Sequence, residues 1–183
     1  MIKGKQLKEK IGIGIRQDIL ENLPRPVYLG LGSNVGNRIK NINKALYLLR
    51  DFCKLSKISN FYESNSWPNE NYRKYLNVII KCYTNSSPIL LLKNLKNIEM
   101  QLGKRKKIKN YPRKCDIDII DFKGLIYFKK NIEIPHPRLS DRNFVLVPLF
   151  EIEKTWKHPK TNVSIHNLLK NLDLKSLRGI KVF

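Results

Sequence analysis

The chain has 183 residues, 42% of them hydrophobic, and a formal net charge of +21, which suits one domain with a proper core and leaves little room for two. The charge points to an anionic partner (nucleic acid, an acidic membrane surface or a phosphorylated small molecule) without choosing among them, and part of it is ordinary solubilising lysine. No apolar run reaches membrane-spanning length, no signal-peptide core opens the chain, and the odd, widely spaced Cys53, Cys82 and Cys115 argue against a disulfide framework or C-x-x-C metal pair, so a soluble cytoplasmic protein with buried thiols is expected.

Residues 1–24 have weak periodicity and end in a Pro24–Pro26 boundary, so they read as an N-terminal extension to a domain spanning 25–183. Val27 to Leu31 reads as a first strand closed by Gly32-Ser33-Asn34. A helix then carries Ile39, Ile42, Ala45, Leu46, Leu49 and Phe52 at helical spacing. Residues 55–64 alternate as a second strand, a polar loop follows, and Tyr75 to Thr84 form a third. Ser87-Pro88 supplies a capping side chain and a proline at the first helical position, opening a helix that stops at Gly103. The segment GKRKKIKNYPRK, with seven basic residues in twelve, precedes a strand reading CDIDIIDF. IPHPRLSDRNFVLVPLFEI is expected to be extended, with a short helix near Ile165 to Leu172. Strands two and three meet without a helix between them, which disfavours an all-parallel sheet. The order predicts an α+β fold, a ferredoxin-like βαββαβ core with an antiparallel sheet, helices on one face and long loops.

Asp116 and Asp118 alternate with Ile117 and Ile119, so both carboxylates leave one face of a strand whose other face enters the core. Paired carboxylates after the densest basic loop in the chain can hold hard cations, since Mg²⁺ takes one or two carboxylates together with substrate phosphates. Asp121 is expected on the opposite face in a structural role. GLGSNVGN matches a dinucleotide fingerprint only loosely and reads better as a tight strand-to-helix turn. His136 reads equally well as a turn histidine or a site residue, and His158 and His166 as surface residues. Trp67, Tyr72 and Tyr111 are aromatics in polar loops, either lids for a flat ligand or loop anchors.

VYLGLGSNVGN, FYES, YLNVII, the E-x-x-x-G ending at Gly103, PRKCDIDII and PHPRLSDRNFVLVPL occur in one order. That order resembles the hydroxymethyldihydropterin pyrophosphokinases of folate biosynthesis, over roughly residues 26 to 170. The resemblance implies transfer of pyrophosphate from ATP to the hydroxymethyl group of 6-hydroxymethyl-7,8-dihydropterin, releasing AMP. It implies that Asp116 and Asp118 bind two Mg²⁺ ions, and that Tyr75 and Phe144 sandwich the pterin. Asn77, Ser64 and Trp67 would meet the pterin edge. Glu99, Lys106, His136 and Arg142 would meet ATP, with Lys104, Arg113 and Arg142 serving the transferring phosphates.

The departures from the family pattern concentrate in loops. Lys104 and Lys106 stand where arginines are common, which keeps charge but loses the bidentate fork, and Ser66 stands where proline is common. The rival reading is a basic ferredoxin-like RNA-binding module. Its third strand should carry an aromatic octamer, and YLNVIIKCY does not. The expectation is therefore a monomeric cytoplasmic enzyme with small-molecule substrates, no membrane partner and no specific nucleic acid.

Overall fold

Strand β1 (Val27–Ser33) is buried along nearly its whole length, so it needs apolar cover on both faces rather than one. In the computed structural model, which describes residues 25–66, 69, 71–103, 112–129 and 132–183, that cover comes from helices on both sides. β1 runs antiparallel between β4 (Tyr75–Tyr83) and β5 (Asp116–Phe122). On the first face, Leu29, Leu31, Val78, Ile80, Ile117 and Ile119 pack with α1 (Arg38–Leu49) and α2 (Pro88–Gln101). On the second, Tyr28, Ile79 and Ile120 pack with α3 (Asn143–Ile152) and α4 (Ile165–Lys170).

The helices start as their sequences dictate. Asn37 accepts from the Lys40 amide, and Ser87, followed by Pro88, accepts from the Leu90 amide; each satisfies an N–H the first turn leaves open.

The edge beyond β4 is shared. β2 (Lys54–Ile58) pairs with one end of β4 and β3 (Tyr62–Ser64) with the other, so the strand expected over 55–64 is split. At the break the Ser59 backbone N–H donates to Ile79 O, while its hydroxyl accepts from the Ile79 amide. Beyond β3 lies β8 (Ile180–Val182), preceded by the short helix α5 (Leu174–Arg178). β6 (Tyr127–Lys129) and β7 (Ile132–Ile134) form a separate hairpin.

Four expectations need correction. Helices cover both faces, not one, because FVLVPLFEI is the helix α3 instead of an extended segment. Gly32 and Ser33 lie inside β1, not in the turn, which instead uses Gly36 at φ +66°. Asp121 sits on the same face as Asp116 and Asp118, because β5 bulges: Leu29 pairs with Ile119 but Tyr28 with Asp121, leaving Ile120 as the extra residue. Its structural role is as expected: it is buried and accepts from Trp156 Nε1 and the Gly124 amide, both at 2.9 Å. Finally, His158 is buried, with its Nδ1 accepting from the Lys160 and Thr161 amides, whereas His166 is exposed.

Candidate active site

The period-two geometry of β1, β4 and β5 sets one row of side chains on the second face of the sheet. Across it, Asp116 pairs with Gly32 and Asp118 with Gly30. On the other side of β1, Gly32 pairs with Asn77 and Gly30 with Ile79. The two glycines therefore leave open floor between the carboxylates and Asn77. A Cβ on Gly32 would come within 3.2 Å of Asn77 Oδ1 and 3.3 Å of Tyr75 Cδ1. Above this floor opens a pocket of about 820 Å³.

Nine residues singled out from the sequence line that one pocket: Ser64, Tyr75, Asn77, Arg113, Asp116, Asp118, His136, Arg142 and Phe144. Asn77 is fixed by β3, its Nδ2 donating to Ser64 Oγ at 2.9 Å and to Tyr62 O at 3.4 Å; its Oδ1 thus faces the Gly32 side. Arg142 lays its guanidinium over the Phe144 ring, 5.4 Å from the centroid, a cation–π contact that also orients the ring.

The carboxylates are held by cations. Arg113 Nη1 lies 2.9 Å from Asp116 Oδ2, and Arg142 Nη1 lies 3.6 Å from Asp118 Oδ2. Arg113 is itself set by Asn34, a buried residue at the end of β1. Its Oδ1 accepts from the Arg113 amide at 2.8 Å and its own amide donates to Arg113 O. His136 Nε2 lies 4.0 Å from Asp118 Oδ2. Burial, then the charges of Arg142 and Arg138, lower its pKa to about 4, so at neutral pH the ring is uncharged and this contact is no ion pair. Its Nδ1 accepts from the Arg138 amide, which places the single proton on Nε2.

Glu99 is placed differently. It is 1% exposed and lies behind β5, where its Oε1 accepts from the Ile117 amide at 2.8 Å and from Lys96 Nζ at 2.8 Å. Ile117 stands between the two aspartates on a strand that ends the sheet, so Glu99 satisfies an edge N–H and fixes the backbone that aims them. Among the described residues it is not part of the pocket lining, whereas Lys96 is. Trp67, Lys104 and Lys106, together with Tyr111 and the segment 1–24, lie outside the described residues.

Sequence reasoning missed Gly30, Gly32, Asn34, Lys96, Arg138 and Asp141. Lys96 carried a usable signal, three residues before Glu99 and on the same helix side. The glycines carried none, because cross-strand register is not written locally.

An antiparallel sheet with helices, carrying paired carboxylates, arginines and aromatic rings in one pocket, defines an α+β enzyme of the phosphotransferase class. Residues 28–154 match the family model for 7,8-dihydro-6-hydroxymethylpterin-pyrophosphokinase. The chain is 44% identical over 133 residues to the 2-amino-4-hydroxy-6-hydroxymethyldihydropteridine pyrophosphokinase of Aquifex aeolicus (strain VF5), covering 73% of this chain and 83% of that one. It is 35% identical over 132 residues to the Bacillus subtilis (strain 168) protein of the same name, covering 68% and 76% respectively. By fold it is similar to the crystal structure of an HPPK-DHPS in complex with substrates, with TM-score 0.66, 17% identity, and coverage of 80% of this chain and 43% of that one. The chain belongs to the 7,8-dihydro-6-hydroxymethylpterin-pyrophosphokinase family.

Proposed function

We propose that this pocket carries out the family's reaction, transfer of pyrophosphate from ATP to the hydroxymethyl group of 6-hydroxymethyl-7,8-dihydropterin, with residues 25–183 as the catalytic unit. The observation that carries the assignment is the row Asp118, Gly30 and Ile79 beside the row Asp116, Gly32 and Asn77. It sets two carboxylates across a glycine floor from the groups suited to a flat heterocycle. The strand order β5-β1-β4-β3, antiparallel throughout, supports reading the core as ferredoxin-like.

The residues fit divalent ions. Asp116 and Asp118 offer hard oxygen donors with side-chain exposures of 27% and 36%, open enough to exchange an arginine partner for a cation. Two carboxylates suit Mg²⁺, whose remaining ligands are typically phosphate oxygens and water. When bound, such ions would neutralise phosphate charge.

The chain's own groups divide the remaining work. Arg113 and Arg142, now on the aspartates, are positioned to turn to the phosphates as charge accumulates there. His136 offers its Nε2–H as a hydrogen-bond donor and stays neutral. Tyr75 and Phe144 offer ring faces for stacking, and Asn77, locked by Ser64, presents its amide to the pterin edge. Glu99 acts as a positioning residue through Ile117. A monomeric cytoplasmic enzyme is part of the same proposal, and no helix among the described residues is long and apolar enough to cross a membrane.

Incubation with ATP, Mg²⁺ and the reduced pterin alcohol is expected to yield AMP, without accumulation of ADP or free phosphate. Asp118→Ala is expected to abolish turnover while the circular dichroism spectrum and unfolding midpoint stay close to wild type. Near-normal turnover of that variant at saturating Mg²⁺ would reject the metal assignment while leaving the activity in place.

A further inference from the structure

Helix α5, five residues long, buries none of its side chains, so no core of its own holds it. Nevertheless Asp173, Lys175, Ser176 and Gly179 form part of the pocket wall. All lie beyond residue 154, where the family match ends. What fixes them there is a set of ties to the two sides of the pterin subsite.

The first tie is Asn143, at the start of α3 between Arg142 and Phe144. The helix cap Arg142 makes no side-chain capping bond. Asn143 substitutes for it: its Oδ1 accepts from the Phe144 amide at 2.6 Å, while its Nδ2 donates to Ser176 O. One side chain thus joins the backbone of Phe144 to α5. The second tie is β8, which pairs along β3 with Ile180 opposite Ser64. The third is Phe183, whose amide donates to Phe61 O at 2.8 Å and whose ring lies under Arg38, itself bonded to Glu63 and Lys74 O.

We propose that residues 173–183 are a brace spanning the pterin subsite from the Phe144 wall to the Ser64 wall, and that Asn143 is the positioning residue that couples Phe144 to it. This rests on the assignment of Ser64 and Phe144 to the pterin. The brace acts on the separation of the walls, so it governs pterin affinity more strongly than ATP affinity.

The test compares Asn143→Asp, deletion of 173–183, their combination, and Phe144→Ala. Asn143→Asp keeps the acceptor for the Phe144 amide but sets a carboxylate oxygen against the Ser176 carbonyl. Pterin affinity is read by fluorescence titration with a non-hydrolysable ATP analogue and Mg²⁺ present, alongside steady-state kinetics and thermal unfolding. Asn143→Asp is expected to weaken pterin binding and raise its KM by about tenfold, the scale of one part-buried hydrogen bond left unmade. kcat at saturating pterin, KM for ATP and the unfolding midpoint should stay near wild type. Added to the deletion, it should have no further effect, because the partner is already gone.

Unchanged pterin affinity in Asn143→Asp, or equal losses of pterin and ATP affinity, overturns the brace. If Phe144→Ala weakens pterin binding while Asn143→Asp does not, the brace alone fails. If Phe144→Ala binds pterin normally, the subsite assignment fails and the brace with it. Should the deletion misfold, the point variant decides.

Discussion

At the scale of single residues, the pocket depends as much on what is missing as on what is present. Gly32 is flanked on one side by Asp116 and on the other by Asn77. Its backbone is an ordinary strand conformation, so alanine there would strain space and not φ. The added methyl would press on Asn77 Oδ1 and the Tyr75 ring at 3.2–3.3 Å, and Asn77 cannot retreat easily, since it is tied to Ser64. Gly32→Ala is therefore expected to fold normally yet bind the pterin alcohol at least about tenfold more weakly, a cost on the scale of overpacking, measured by the same titration. Normal pterin affinity would mean that the floor is not where the ring lies.

His136 gives a second, pH-dependent expectation. Its folded pKa of about 4 lies below the ordinary value of 6.5, so between those values the unfolded chain takes up a proton that the native ring refuses. Native stability from this group is complete above pH 6.5 and is lost as pH falls toward 4. Against His136→Asn, which titrates nothing there, wild type should lose roughly 2 kcal/mol more stability between about pH 7 and pH 5. Urea unfolding of both proteins at the two pH values checks this, and parallel losses would show that the ring is not held neutral.

At the scale of elements, β5 carries three aspartates on one face and gives them two jobs. Asp116 and Asp118 face the pocket, while past the bulge Asp121 is buried against Trp156 and Gly124. Burial raises its pKa, and the two donors oppose that rise. Asp121→Ala strands the buried Trp156 N–H and is expected to cost about 1–3 kcal/mol of stability with the catalytic constants nearly unchanged below the melting range. Loss of turnover at full stability would instead place Asp121 in the site. The sequence did show that two carboxylates share a face, because that follows from local alternation, but a bulge depends on the register with β1 and cannot be read from β5 alone. α3 was misread for a related reason. Pro148 and the run Val145-Leu146-Val147 look strand-like, and proline in a helix interior costs about 3 kcal/mol, here the bond to the Phe144 carbonyl. Yet Val145, Leu146, Leu149 and Ile152 sit at helical spacing and are all buried, and four such burials at roughly 1.5–3 kcal/mol each outweigh one lost turn. The spacing was legible; the outcome depended on a sheet face waiting to be covered. In the same way the residues that line the pocket, and Glu99 behind it, could be named from motif order, whereas Asn34, Asn143 and the Ile117 amide through which Glu99 acts depend on contacts between distant segments.

At the scale of the whole molecule, the charge of +21 and the pocket make different claims on anions. Inside the pocket Arg113 and Arg142 are matched by Asp116 and Asp118, so recognition there depends on geometry and on charge balanced within a few ångströms, which salt screens weakly. The rest of the excess is mostly lysine and acts through release of counterions from any polyanion it meets. The two terms separate on titration with salt. Binding of single-stranded polynucleotides of different base composition should be similar in strength and fall by at least about tenfold between about 50 mM and about 200 mM salt. Over the same range, pterin-dependent AMP formation should change less than about threefold. Base-dependent binding that persists at the higher salt would mean that the surface lysines are organised into a recognition site, and the chain would then carry a nucleic-acid function beside its chemistry. A parallel collapse of AMP formation would instead show that this excess charge draws ATP to the pocket, and the balance of charges inside it would not account for binding alone.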